Sequence, residues 1–466
     1  EFTINENIQD IAEKLLDENP SIIGIGVYIW NVIAVHELVT TLKQINPEIK
    51  IVIGGPEVSY KPLRLDFSMV DYIIEGEGDI AFYKLCSQII IDSVPSEQTI
   101  APALVDLNTI KLPYQYFSDH DIKHRYIYVE ASRGCPFLCE FCLSSIDEKM
   151  RYIDIEKLLG EFETLWQRGA RNFKFIDRTF NLQIKTSNKI LDFFLSKKPP
   201  YFAHFEVIPD HFPESLKTKI KAFPPSALQL EVGIQTLDKT VAQTIQRNLN
   251  IKKIQENISF LENETQAHMH LDLIVGLPGE PLSQFGTNLD LLCALSRSEI
   301  QIGVLKNLPG TTLERHNETF GMVFNQKAPY DVLKTKVISY KEIQQMKRFS
   351  RFWDLLYNSG NFNQSVRLIW QDSSVFTSFF TFSLWIYNQT QSTWKIALER
   401  LAKLLFEYLT KECHLTAPTV ANAIANDLLK IEGRTLPTFV KEYATINLDR
   451  KSDTVQSLHK RQQKRA

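Results

Sequence analysis

Between residues 21 and 307, short apolar runs alternate with amphipathic helical patterns, and this alternation restricts the fold more than any single residue does. In residues 1–105 the runs "SIIGIGVYI", "KIVIGG" and "VDYIIEGEG" read as strands, and "IQDIAEKLLDENP", "VIAVHELVTTLKQINP" and "IAFYKLCSQIII" read as helices. Strand, helix and strand in succession predict parallel pairing, because the crossover returns the chain to the same end of the sheet. From residue 125 the alternation resumes with "RYIYVEA", "NFKFID", "FAHFEVI", "ALQLEVGI", "HMHLDLIVG" and "IQIGVLKN", separated by helical patterns such as "IEKLLGEFETLWQRG" and "IKKIQENISFLENE". Six strand–helix units suit a barrel or a partial barrel, whose ligands sit at the carboxyl ends of the strands.

The expected fold class is therefore α/β, with a Rossmann-like domain over 1–105, a linker over 106–122, a partial (β/α)6 barrel over 123–325 and a mainly helical domain over 326–466. In the last part "YDVLKTKVISYKEIQQMKRFSRFWDLLYNSG" and "WKIALERLAKLLFEYLTKE" read as helices, and their Phe and Trp residues at helical spacing are expected in the core. With 44% hydrophobic and 23% charged residues over 466 positions, the chain can bury several cores, and its net charge of −3 does not favour a nucleic-acid partner. The basic end "HKRQQKRA" reads as a solvated tail. No run reaches the roughly 18 apolar residues a membrane helix requires. The first residue is Glu1, so the chain reads as a fragment whose beginning is missing, and the first domain as lacking its first strand. Few and unevenly placed cysteines suggest a reducing cytoplasm rather than a disulfide framework.

Three of the six cysteines stand together in "ASRGCPFLCEFCLSS", as Cys135, Cys139 and Cys142. Core thiols would not cluster beside Gly134 and Pro136, a disulfide would leave one thiol over, and structural zinc normally takes four ligands in paired knuckles. An iron–sulfur cluster held by three cysteines fits the pattern better, because it leaves one iron open for chemistry.

The spacing Cys135-x3-Cys139-x2-Cys142, with Phe141 before the third cysteine and a strand before the first, resembles the radical S-adenosylmethionine (SAM) enzymes. In that family the open iron of a [4Fe-4S] cluster chelates SAM, and one electron splits the sulfonium to give a 5′-deoxyadenosyl radical. "HFEVIP", "EVGIQTLD" and "HLDLIVGLPGE" resemble strands three to five of the oxygen-independent coproporphyrinogen oxidase group within it. The resemblance implies SAM contacts from Phe141 and from polar side chains: Glu206 and Gln235 toward the methionine and ribose, Arg247 toward the carboxylate and Asp272 toward the ribose hydroxyls. Where many relatives carry a glycine-rich segment, this chain has Asp177, Arg178 and Thr179. Asp177 could accept from the SAM ammonium and Arg178 could hold a carboxylate or phosphate, or the two could serve only a salt bridge.

The pieces "GVYIWN", "IGGPEVSY" and "DYIIEGEGDIAFYKL" resemble the cobalamin-binding domain of B12-dependent radical SAM enzymes. That resemblance implies contacts to cobalamin from Tyr28, Trp30, Asn31, Gly54, Gly55, Pro56, Glu57, Gly76, Glu77 and Gly78. The D-x-H-x-x-G cobalt-ligating motif is absent, and His36, inside a helical pattern, reads as structural. The helical remainder resembles a carboxy-terminal domain of uncharacterised function found in one bacterial branch of these enzymes.

Together the resemblances imply a cobalamin-dependent radical SAM methyltransferase acting at an unactivated carbon. Its cofactors would be a [4Fe-4S] cluster, SAM and cobalamin, and its electron donor a flavodoxin or ferredoxin. A methylthiotransferase would need a second cluster, and Cys86, Cys293 and Cys413 form no second triplet. B12-dependent radical rearrangement or cyclisation without methyl transfer stays open, as does a non-catalytic metal-binding interaction module.

Overall fold

The computed structural model describes residues 2–446 apart from 372 and 432, so the basic tail lies outside the described residues. The chain divides into two compact units: residues 1–115, 132–154 and 305–333 form the first, and 116–131, 155–304 and 334–466 the second. Twelve strands matter here, in chain order: β1 Ile22–Gly26, β2 Lys50–Gly54, β3 Tyr72–Ile74, β4 Thr99–Ile100, β5 Ile127–Val129, β6 Ser132–Arg133, β7 Arg151–Tyr152, β8 Asn172–Phe175, β9 Phe202–Val207, β10 Leu228–Gln235, β11 His268–Val275 and β12 Glu299–Val304.

In the first unit β1, β2, β3 and β4 form a parallel sheet in that order. Period-two alternation sends Ile51, Ile53 and Ile73 to one face, with Val35, Leu38 and Leu42 of the helix Val32–Ile45, and Val52, Tyr72 and Ile74 to the other, with Leu85 of the helix Asp79–Ile90. The strand β4 falls just before the expected linker, in a stretch without periodicity. Two residues at a sheet edge carry no alternation to read. His36 lies on the helix Val32–Ile45 with its ring edge-on to Phe67, 5.6 Å between centroids.

In the second unit six parallel strands pair in the order β12-β11-β10-β9-β8-β5, with β12 and β5 at the edges, which makes a partial barrel. One face is apolar: Phe173, Phe175 and Phe205 pack with Phe162 of the helix Ile155–Gln167 and Phe194 of the helix Ile184–Leu195. The alternate residues give a face of another kind, formed by Tyr128, Lys174, His204, Glu206, Glu231 and Asp272 together with their neighbours in register.

The helical part belongs to the same unit. Phe349, Trp353, Phe379 and Phe382 are fully buried, as their spacing predicts. Asn358 accepts from the Ile300 N–H at 3.0 Å and donates to the Ile300 carbonyl at 2.9 Å, while the Ser350 hydroxyl donates to Ile302 at 2.5 Å. These side chains satisfy backbone groups of the edge strand β12, which protects that edge from pairing with another chain. Among the described residues no helix is long and apolar enough to cross a membrane.

Candidate functional site

The three clustered cysteines occupy a loop closed at its base by the antiparallel pair β6 and β7. Cys135 and Cys139 are buried, Cys142 is half-buried, and no cysteine of the chain is in a disulfide. Gly134 has φ +90°, and a Cβ there would fall 2.3 Å from the Lys149 carbonyl, so the turn into Cys135 requires glycine. The Cys135 N–H donates to Asp147 at 2.8 Å, and the Ser145 hydroxyl lies 3.0 and 2.6 Å from the carbonyls of Cys139 and Cys142. These hydrogen bonds hold the loop's shape through its backbone. Between the cysteines, buried Glu140 accepts from His316 and pairs with Arg315, which fastens the loop to a second segment of its unit.

The same loop is clamped to the "EGEG" turn. Arg151 donates to both carboxylate oxygens of Glu77, at 2.6 and 3.1 Å, to Asp147 at 2.7 Å and to the Val105 carbonyl at 2.8 Å. Arg133 grips Asp79 in the same forked manner, at 2.8 and 3.2 Å, and reaches Glu77 at 3.4 Å. Burial works to raise the Glu77 pKa, yet Arg151, the Val105 amide and Arg133 bring it below its ordinary value, so the carboxylate is charged and held. The side chain expected at cobalamin therefore faces the cysteine loop.

The other residues expected at cobalamin surround the carboxyl ends of β1 to β3. Tyr28 and Trp30 stack, with ring centroids 4.6 Å apart and planes 4° from parallel, and both stay exposed. Asn31 holds that turn, accepting from the Tyr28 N–H at 2.7 Å and donating to Gly26 at 2.9 Å. After β2, Gly54 accepts from the Val27 N–H at 2.7 Å, and Gly55 at φ +105° would set a Cβ 2.6 Å from the Val27 carbonyl. Pro56 follows, half-buried. Ser59 joins the two glycine-rich turns, donating to the Gly55 carbonyl at 2.8 Å and accepting from the Gly76 N–H at 2.9 Å. Gly78 precedes the helix Asp79–Ile90. Glu57 is buried and accepts from the Tyr330 hydroxyl at 2.6 Å, with Arg64 over the Tyr330 ring. An exposed flat aromatic pair beside backbone-rich turns fits a large planar ligand with an amide-bearing periphery.

In the second unit, the polar face of the sheet carries Glu206 and Asp272, two of the residues expected at SAM. Glu206 and Glu231 are partners in register, as are Gly233 and Asp272. Asp272 has its pKa raised well above the ordinary range by burial, with Glu231 and Glu206 adding repulsion and Arg247 opposing it. Glu231 is instead lowered, mainly by the His204 imidazole at 3.1 Å. Arg178 donates to both oxygens of Glu206 at 2.7 and 2.8 Å, the salt-bridge alternative considered for it. Asp177 is buried and accepts from the Ala131 N–H at 3.0 Å, so its carboxylate ties the end of β5 to the end of β8. Arg247 donates to the Gly233 carbonyl. The half-buried Phe141 precedes Cys142 in the first unit.

Gln235 sits at a bulge in the β10–β11 pairing with φ +62°, and its buried Oε1 has no hydrogen-bond partner; the same is true of His204 Nδ1. Strained backbone and orphaned polar atoms are costly unless a ligand uses them. A cationic ligand rich in hydroxyl and amine donors fits carboxylates in mutual repulsion and an unused amide oxygen, and SAM has those features.

Behind that bulge, Glu280 accepts from Thr236 at 2.6 Å and from Asn288 at 2.9 Å, which anchors the turn after Gln235. Burial pushes its pKa from 4.5 up to about 7, against the Thr236 and Asn288 hydrogen bonds and with some help from Asp238. A carboxyl raised in the folded state contributes stability that is full below about pH 4.5 and is lost as pH rises through 7. Glu280→Gln is therefore expected to match the natural chain in urea unfolding near pH 4.5 and to exceed it by roughly 2–3 kcal/mol at pH 8. Equal pH dependence in the two proteins would refute this account of Glu280.

Sequence reasoning passed over His204, Glu231, His268, His270 and Glu299. The signal was present in "AHFEV", "LQLEVGIQ" and "HMHLDL", where polar residues occupy every second position of strands otherwise apolar.

Residues 2–85 match the B12 binding domain, residues 129–292 the radical SAM superfamily, and residues 318–465 a family described as a protein of unknown function (DUF4080). The chain carries a B12 binding domain and a radical SAM domain. It is 24% identical over 356 residues to the 2-(S-pantetheinyl)-carbapenam-3-carboxylate methyltransferase of Streptantibioticus cattleyicolor, covering 66% of this chain and 50% of that one. It is 23% identical over 350 residues to the cobalamin-dependent radical SAM methyltransferase TokK of Streptomyces tokunonensis, with the same shares covered. The chain thus spans about half the length of these curated relatives. A solved structure of OxsB, a cobalamin-dependent S-adenosylmethionine radical enzyme with aqua-cobalamin and S-adenosylmethionine bound, shares the fold at a TM-score of 0.60 and 13% identity, over 91% of this chain and 72% of that one. The cofactors of such domains are the [4Fe-4S] cluster with SAM, and cobalamin. Radical SAM enzymes act on a substrate and draw electrons from a reductant.

Proposed function

We propose that this B12-binding radical SAM protein is a methyltransferase that places a methyl group on an unactivated carbon. The observation that carries the reading is the clamp of Arg151 and Arg133 on Glu77 and Asp79, which joins the three-cysteine loop to the "EGEG" turn of the B12 binding domain within one compact unit. Chemistry at both cofactors in one turnover needs their protein loops held in fixed register. The methyltransferase relatives, each aligned over two thirds of this chain, support the same conclusion.

When bound, the cluster and SAM supply one-electron cleavage of a sulfonium, and cobalamin carries the methyl group. The chain's own residues bind and orient. Cys135, Cys139 and Cys142 would ligate three irons as thiolates. Gln235 would accept a hydrogen bond from SAM through its buried Oε1, and Asp272 would accept from the ribose hydroxyls. Arg247 would face the methionine carboxylate, while Glu206, with Arg178 across it, would meet the ammonium. Phe141 would pack on the adenine side of the loop, and the Tyr28–Trp30 pair would lie against cobalamin. Asp177, already engaged by the Ala131 amide, would order the end of β5 from which the cysteine loop departs. The substrate would not be a nucleic acid, the reductant would be a flavodoxin or ferredoxin, and the setting would be the cytoplasm.

The test is an anaerobic incubation with SAM, cobalamin and a strong reductant, read by mass spectrometry. Formation of 5′-deoxyadenosine is expected, joined by S-adenosylhomocysteine once a substrate is supplied. No 5′-deoxyadenosine would remove the radical SAM reading. Substrate turnover with 5′-deoxyadenosine but without S-adenosylhomocysteine would retain radical chemistry and drop methyl transfer, in favour of rearrangement or cyclisation.

A further inference from the structure

The amino-terminal end of the barrel strands carries a cluster that the radical chemistry does not use. His268 and His270 stand two apart on β11, which turns both imidazoles to the same face, and Glu299 opens β12 as the register partner of His270. His268 Nε2 lies 3.1 Å and His270 Nε2 3.6 Å from Glu299 Oε1, and one ligand atom from each of the three lies within 4.8 Å of the others. A tetrahedral site with metal–ligand bonds of about 2.0–2.1 Å has ligand–ligand edges of about 3.3–3.4 Å, close to both of these separations.

The surroundings suit a metal as well. Glu299 is fully buried and His270 nearly so, and a carboxylate so enclosed is retained where cationic or hydrogen-bonding groups face it. The side-chain amides of Gln229 and Gln301 lie 3.3 and 3.0 Å from His270 Nδ1. The atoms that face Nδ1 are the amide nitrogens, so a metal on Nε2 requires one amide to turn over and let its oxygen accept the Nδ1 proton, the usual support for a metal-bound imidazole. His270 Nε2 is buried and has no hydrogen-bond partner.

We infer that His268, His270 and Glu299 form a binding site for a divalent transition-metal ion of the zinc class, distinct from the cysteine cluster. Two imidazoles and a carboxylate are the donor set that Zn2+, Co2+ and Fe2+ accept, and three protein ligands leave a coordination position open. The site lies two to four residues along β11 from Asp272, or roughly 7–13 Å at about 3.3 Å per residue, on the same polar face of the sheet. It does not depend on the SAM reading.

The test uses the full chain with Cys135, Cys139 and Cys142 replaced by alanine, freed of metal by chelator and titrated with Co2+ alone. One Co2+ per chain is expected, with visible d–d absorption displaced by Zn2+, and His270→Gln and Glu299→Gln should each weaken binding by at least about 100-fold, since even outer partners of a metal cost 10–100-fold. Thermal unfolding of each variant checks that it is folded. A second arm, on the natural chain with its cluster in place, is X-ray absorption at the zinc edge after addition of Zn2+, where a shell of nitrogen and oxygen only is expected. Absence of stoichiometric Co2+, unchanged affinity in both variants, or sulfur in the zinc shell would each overturn the inference.

Discussion

Cys139→Ala is expected to remove the iron–sulfur chromophore, to lower iron in the anaerobically purified chain from about four atoms to almost none, and to bring 5′-deoxyadenosine down to the level of a control without protein. The reason lies in the count of ligands. Three thiolates hold three irons and leave the fourth for SAM, so losing one leaves two corners without protein ligands. The loop itself should survive, because the Cys135 amide on Asp147, Ser145 and the Glu140 ion pairs remain to hold it. Cys86→Ala, on the helix Asp79–Ile90, is the matched control and should keep both iron and cleavage. A Cys139→Ala protein with a full complement of iron and undiminished cleavage would end the cluster assignment.

Glu77→Ala is expected to destabilise the chain before any cofactor is added, by roughly 2–4 kcal/mol, because it leaves Arg151 with only Asp147 and the Val105 carbonyl and removes one partner of Arg133. Both arginines keep only 20% of their side-chain surface in solvent and Glu77 keeps 17%, so water compensates little of the loss. Urea unfolding of the cofactor-free protein measures it, and iron retention should fall with it, since Arg151 also secures Asp147, whose carbonyl receives the Cys135 N–H. Had Glu77 served only as a contact to cobalamin, the cofactor-free protein would unfold at the same urea concentration with or without it. That result would return Glu77 to the cobalamin contacts.

These cases mark how far the amino-acid order can be read. The sheet strands and their crossovers were visible because alternation at period two and period 3.6 is local. Motif resemblance singles out Glu206, Gln235 and Asp272 as expected SAM contacts, and all three lie on strands of the barrel sheet. Asp177 was assigned a role toward SAM from its place after β8, yet its carboxylate meets the Ala131 amide, 46 residues away. Glu77 was grouped with its glycine neighbours as a cobalamin contact, whereas its partners are Arg133 and Arg151. The roles of His268, His270 and Glu299 depend on the register between β11 and β12, which no local pattern states.

By itself, then, the sequence determined the α/β class, the six barrel strands, the three cysteines of one loop and the glycine-rich turns, since each follows from periodicity or spacing along a few residues. Tertiary structure alone decided where the charged side chains spend their hydrogen bonds. A carboxylate's partner is chosen by burial and by what the fold brings within about 3 Å, and neither is written in its neighbours along the chain.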